Sequence, residues 1–150
     1  MKSGATDGIE AVAAVSAVLD TNVVVSAHLK PDGREALILA LALSARFTFI
    51  VSEALLEEYE GVLGRPRFGF DPAAVTRSIR AIRRTAVLVK PSEVLHVTRD
   101  PDDNKVLECV VEGAAEYVVT GNIRDFPAQF RKVRVIPSRQ FLIILAAHLA

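Results

Sequence analysis

Apolar residues along the chain fall into short β-branched runs separated by longer stretches with helical spacing. Val15 to Leu19 reads as a first strand, and Glu35 to Ala45 as a helix. Phe47 to Val51 is a second strand. Ser52 caps a helix that reaches about Leu63, where Gly64 and Pro66 stop it. Asp71-Pro72 opens a helix to about Thr85, in the favoured order of cap then proline. Val87 to Val89 forms strand three, and a loop containing Pro91 and Pro101 follows. A helix beginning at Asp102 or Asp103 runs to about Glu112. Tyr117 to Thr120 and Val133 to Ile136 are strands four and five, and Ser138 caps a last helix. Strands alternating with helices predict one α/β domain, residues 15–150, around a mostly parallel sheet. Residues 1–14 read as a flexible or loosely ordered leader.

Parallel sheets bind ligands beyond the carboxyl ends of their strands, so the polar residues there matter most. Strand one ends at Asp20-Thr21-Asn22. Asp20 is either a site acid or the N-cap of a short helix starting at Thr21. At ~100° per residue, the helix after Ser52 gathers Leu55, Leu56, Tyr59, Val62 and Leu63 into one apolar stripe. Glu53, Glu57 and Glu60 fall on the opposite side, whereas Glu58 borders the stripe. On the helix after Pro101, Val106, Leu107, Val110, Val111 and Ala114 share a face, with Lys105, Glu108 and Glu112 turned to solvent. Cys109 projects outside that stripe. Asp103 projects into its middle, unless it is the N-cap and stands outside the helix. Asp125 follows strand four in Thr120-Gly121-Asn122-Ile123-Arg124-Asp125, as a site acid or as a turn residue.

Composition narrows the chemistry. The 150 residues carry 18 basic and 18 acidic side chains, a formal net charge of zero. The total hides segregation: residues 100–116 hold six acids against Lys105 alone, and residues 73–90 hold five bases and no acid. A single cysteine excludes a disulfide framework and a cysteine-based zinc site, and fits a reducing, cytoplasmic setting. His28, His96 and His148 are scattered. No apolar run approaches the ~20 residues that a membrane-spanning helix needs. Acids from four segments converging on one sheet edge repel one another unless a cation intervenes, and all-oxygen ligands suit Mg²⁺ or Mn²⁺. On the helix from Pro72, Arg77, Arg80 and Arg84 recur on a face away from the apolar stripe of Val75, Ile79, Ile82 and Ala86. They form a candidate phosphate-binding patch, a solvated face or a dimer surface.

These segments carry a family likeness. Val18-Leu19-Asp20-Thr21-Asn22-Val23, Ser52 to Phe68, Arg99-Asp100-Pro101-Asp102-Asp103-Asn104 and Val119 to Phe126 resemble, in order and spacing, the four blocks of PIN-domain ribonucleases. The likeness is to the branch described as toxins of toxin–antitoxin pairs (VapC-like ribonucleases). It implies a three-layer α/β/α PIN-like domain with a central, mostly parallel sheet of about five strands. It further implies a Mg²⁺- or Mn²⁺-dependent endoribonuclease that hydrolyses RNA phosphodiester bonds, with one or two ions held by Asp20, Glu58, Asp103 and Asp125. Thr21, Asn22, Thr120 and Asn122 become supporting polar residues; many relatives carry aspartate where Asn122 stands. Expected partners are RNA, a small antitoxin and a second copy of the chain, with no membrane. Asp100 and Asp102 are left unranked as outer groups. Two rivals remain: a catalytically inactive RNA- or protein-binding module on the same scaffold, and a phosphotransfer domain with Asp20 as nucleophile. The second rival lacks an acid two residues on, where Asn22 stands.

Overall fold

A computed structural model describes residues 15–149. The expected leader, residues 1–14, lies outside them. β1 (Ser16–Leu19) is buried from Ala17 onward, which is what a continuous apolar run means at the centre of a parallel sheet. It pairs in parallel with β2 (Thr48–Ser52) on one side and β4 (Tyr117–Val119) on the other. β3 (Val87–Val89) extends the sheet beyond β2, and β6 (Val133–Ile136) extends it beyond β4. The order is β3-β2-β1-β4-β6-β5. β5 (Gln129–Phe130) is a sixth strand that the hydrophobic pattern does not reveal, antiparallel to β6. Two residues are too few to show an alternation; pairing with β6 alone makes them a strand.

The helices are α1 (Thr21–Leu29), α2 (Arg34–Leu43), α3 (Glu53–Leu63), α4 (Pro72–Thr85), α5 (Pro101–Gly113) and α6 (Ser138–Leu149). The connection from β1 to β2 carries α1 and α2, that from β2 to β3 carries α3 and α4, and the return to β4 carries α5. α5 packs against β1 to β4, while α1 packs on α2 and α3, and α6 packs on α2. The fit of α5 to the sheet is close: a Cβ on Gly113 would stand 2.5 Å from the Ile50 Cγ2 methyl.

Two helix boundaries and the burial of one side chain differ from the sequence reading. α1 is the short helix from Thr21 that one reading of Asp20 expects, built on the TNVVVSAHL segment. Its β-branched residues have modest helix propensity, and it is apolar nearly all round; burial of Val23, Val24, Val25 and Ala27 sustains it. α2 ends at Leu43, because Ala45 turns into the left-handed region at φ 58°. α5 begins at Pro101, with Asp100 as its N-cap, so Pro101 is the first helical residue rather than part of the loop. Cys109 is fully buried. α5 meets both the sheet and α3, which widens its covered arc beyond one stripe and brings the thiol against Ser52.

Glu108 is half-buried rather than turned fully to solvent, while Glu112 is exposed as expected; both nonetheless hold backbone. Glu112 accepts from the Ser92 N–H at 3.1 Å, and Glu108 accepts from the Leu95 N–H at 2.9 Å. One turn earlier, buried Asn104 accepts from the Val97 and Thr98 N–H groups at 3.0 and 2.8 Å. Acceptors at a spacing of four along α5 therefore bind the extended segment 91–98 down the helix, toward the N-terminus of α5. Among the described residues no helix is long and apolar enough to cross a membrane.

Candidate active site

Asp20 stands at the carboxyl end of β1 and is 6% exposed. It is the N-cap of α1, and its carboxylate is also the centre of a polar network. One carboxylate oxygen accepts from the Thr21 N–H at 2.8 Å. The other accepts from the Thr120 hydroxyl at 2.7 Å and from the Asn22 amide at 3.1 Å. Thr120 is fully buried, and its oxygen accepts in turn from the Asn122 N–H at 3.0 Å. Asn22 accepts from the Gly121 N–H at 3.0 Å. The turns after β1 and β4 are thus joined through one carboxylate. Burial raises the pKa of Asp20, and these hydrogen bonds oppose the shift. Both of its oxygens are engaged, which leaves it poorly placed as a covalent nucleophile.

Beside it, Asp103 lies in the first turn of α5, inside the helix. The cap is Asp100, whose carboxylate accepts from the Asp102 N–H at 2.9 Å. The projection of Asp103 onto the apolar face is therefore real. Its pKa is pushed up to about 7, first by burial and then by Asp20, Asp100, Asp125 and Asp102. Asp125 closes a short 3₁₀ turn, Ile123–Asp125, and is exposed. With Asp103 and Asp100 it lines a cleft of about 640 Å³, which Arg99 and Arg124 border. Asp20 is not part of the cleft lining, but its charge raises the pKa of Asp103, and the charge of Asp125 raises its own.

Glu58 is drawn to a different neighbourhood. It is half-buried at the edge of α3, as its projection requires, while Glu53, Glu57 and Glu60 are exposed. It faces a second cavity of about 370 Å³, shared with Thr21, Asn22, Asp100 and Asp102. Burial and then Asp102 raise its pKa, while Lys105 and Arg65 lower it. Asp102 itself pairs with Lys105 at 3.2 Å. Of the four expected acids, then, Asp20, Asp103 and Asp125 form one group and Glu58 adjoins it across Asp100, which lines both cavities. Among the described residues no three His, Cys, Asp or Glu side chains stand close enough to hold one metal ion. The donor set still fits a hard divalent cation in atom type and charge: carboxylates from separate segments that raise one another's pKa.

The supporting residues divide similarly. Thr120 and Asn22 are spent on Asp20, and Thr21 contributes its backbone N–H. Asn122 is exposed and binds Thr120 through its backbone. Arg77, Arg80 and Arg84 are exposed on α4 and line neither cavity. Sequence reasoning overlooked Tyr59, which is fully buried and donates its hydroxyl to the Leu19 carbonyl at 2.5 Å, fixing the strand end that carries Asp20. Its place in the middle of an apolar stripe hid the role; a phenol there needs a buried acceptor. Asn104 was missed as well, although a buried amide at the start of α5 also demands partners.

The fold is an α/β domain with a mostly parallel sheet, and its acids gather past the ends of β1 and β4 and at the start of α5. The PIN-domain family profile matches residues 16–124, and the chain belongs to that family. The match takes in Asp20, Glu58, Asp103 and Asn122 and stops one residue short of Asp125. The chain is also 27% identical, over 111 residues, to an uncharacterized protein of Methanocaldococcus jannaschii; the alignment covers 72% of this chain and 71% of that one. PIN domains are in general nucleases.

Proposed function

We propose that this chain is a Mg²⁺- or Mn²⁺-dependent endoribonuclease, acting in the cytoplasm as the toxin of a toxin–antitoxin pair. The observation that carries the nuclease reading is the Asp20 carboxylate. It is buried, oriented by three donors and close enough to raise the pKa of Asp103, which lines a cleft with Asp100 and Asp125. Asp20, Asp103 and Asp125 would hold the cation, with Glu58 at the adjoining cavity. When bound, such an ion supplies water activation and neutralises charge at the scissile phosphate. The chain's own residues prepare the site. Thr120, Asn22 and the Thr21 N–H fix the Asp20 oxygens and favour their charged form, while Tyr59 holds the strand end. The antitoxin, the RNA preference and a homodimer rest on the resemblance of the four motif blocks. A basic antitoxin side chain suits the acidic cleft by charge.

The test is cleavage of a single-stranded RNA with Mn²⁺ or Mg²⁺ against EDTA. Cleavage is expected only with the ion, and Asp20→Asn is expected to abolish it. Equal cleavage by both proteins would sink the reading. A specific observation favours a second reading, an inactive RNA- or protein-binding module: among the described residues no three carboxylates are placed to hold an ion, and Asn122 adds no charge. Calorimetric titration with Mn²⁺ separates the two, since a binding module takes up negligible metal.

A further inference from the structure

The two cavities that meet at Asp100 each carry a pair of arginines. Arg99 and Arg124 border the cleft of Asp103 and Asp125. Arg65 and Arg67 border the cavity of Glu58 and Asp102. All four are exposed, and among the described residues none lies within 4.0 Å of a carboxylate oxygen. Arg67 sits over the Phe68 ring, 4.7 Å from its centroid. Phe68 stacks on Phe70 at 5.7 Å, and Phe70 meets His28 edge-on at 5.9 Å. His28 is bonded to Ser78 on α4 at 2.8 Å, so the stack is anchored to the helical layer. Arg65 is near enough to Glu58 to lower its pKa. Arg99 directly precedes Asp100, the cap of α5, in the segment that Asn104 binds, and Arg124 lies in the 3₁₀ turn that presents Asp125.

We infer that these four arginines form the two ends of a track for a single RNA strand, which crosses the acidic cleft with its phosphates gripped on either side. This deepens the nuclease reading and rests on it. Acids alone repel a polyanion, so a strand reaching Asp103 needs cationic contacts flanking the acids. Guanidinium groups grip phosphate through two donors at once. A track of arginines at the cavity rims replaces the patch on α4, whose arginines line neither cavity. The chemistry is that of phosphate-backbone contact, with no base reading.

The experiment measures binding of a fluorescein-labelled, single-stranded RNA by polarisation at several salt concentrations, in the cleavage-deficient Asp20→Asn background with EDTA. Each phosphate contact on a single strand contributes a slope of roughly −0.7 in log K against log salt. Arg65→Ala/Arg67→Ala and Arg99→Ala/Arg124→Ala are each expected to flatten the slope by about 0.7 to 1.4, and to weaken binding at fixed salt by at least tenfold. The matching lysine doubles should restore most of the slope, because they keep the charge. Arg77→Ala/Arg80→Ala/Arg84→Ala should leave it unchanged. Folding of each variant is confirmed by its melting curve. Wild-type slopes in both alanine doubles would overturn the track while leaving the nuclease reading intact, provided the unsubstituted chain still cleaves RNA with Mn²⁺. Neither binding nor cleavage of RNA by the unsubstituted chain would overturn both.

Discussion

The Thr120 hydroxyl is a small group on which much of the site depends. It is fully buried, donates to Asp20 at 2.7 Å and receives the Asn122 N–H. Thr120→Val keeps the shape and removes the donor. A hydrogen bond to a charged group contributes about 1.5–3 kcal/mol, and groups that orient a metal ligand change affinity by roughly 10–100-fold. The Mn²⁺ concentration for half-maximal cleavage is therefore expected to rise by at least tenfold, with RNA binding in EDTA little changed. Asp103 makes a separate prediction through pH. Its folded pKa of about 7 lies above its ordinary 3.8. Between those values the unfolded chain has released a proton that the folded chain keeps, so stability falls as pH rises toward 7 and is level beyond. Asp103→Asn removes this loss. In EDTA its melting temperature should exceed that of the unsubstituted chain at pH 8, with the gap narrowing toward pH 5. The gain is modest, because the side chain is only half covered and water screens it. A lower melting temperature at pH 8 would contradict the electrostatic account.

α5 works as a brace as well as a carrier of acids. Its acceptors at 104, 108 and 112 hold segment 91–98, which leads directly into the cap at Asp100. Asn104→Ala strands the Val97 and Thr98 backbone N–H groups, whereas the Thr98 hydroxyl keeps the Asp100 carbonyl. Each unsatisfied buried donor costs about 1–3 kcal/mol, less where water can enter. The amides of Val97 and Thr98 should then exchange with deuterium much faster, while those of β1 and β4 keep their protection. Uniform acceleration across the chain would indicate global destabilisation instead. The face of α5 toward the sheet is equally constrained. Gly113→Ala would press a methyl group onto Ile50 and should cost about 1–3 kcal/mol, read from urea unfolding.

At the scale of the whole molecule, a net charge of zero resolves into an acidic edge with arginines at its rims. RNA binding in EDTA at physiological salt should be weak, and Mn²⁺ should tighten it by neutralising the acids; equal affinity with and without the ion would count against that balance. Much of this was legible in the sequence. Period-two and period-3.6 patterns are local, so five of the six strands and most helices are readable from them, and helical projection separates Glu58 from its three neighbouring glutamates and turns Asp103 inward. Other features depend on contacts that no local pattern encodes. α1 exists because its apolar surface is covered from several sides, and β5 exists because β6 offers it a partner. The glutamates of α5 hold backbone because segment 91–98 crosses them, and Glu58 and Asp103, carried on different helices, line different cavities. The sequence by itself determined the fold class and the acids available, since burial periodicity and residue chemistry are properties of the chain. Only the tertiary structure decided which acids meet and which arginines flank them, because distance between segments is set by packing.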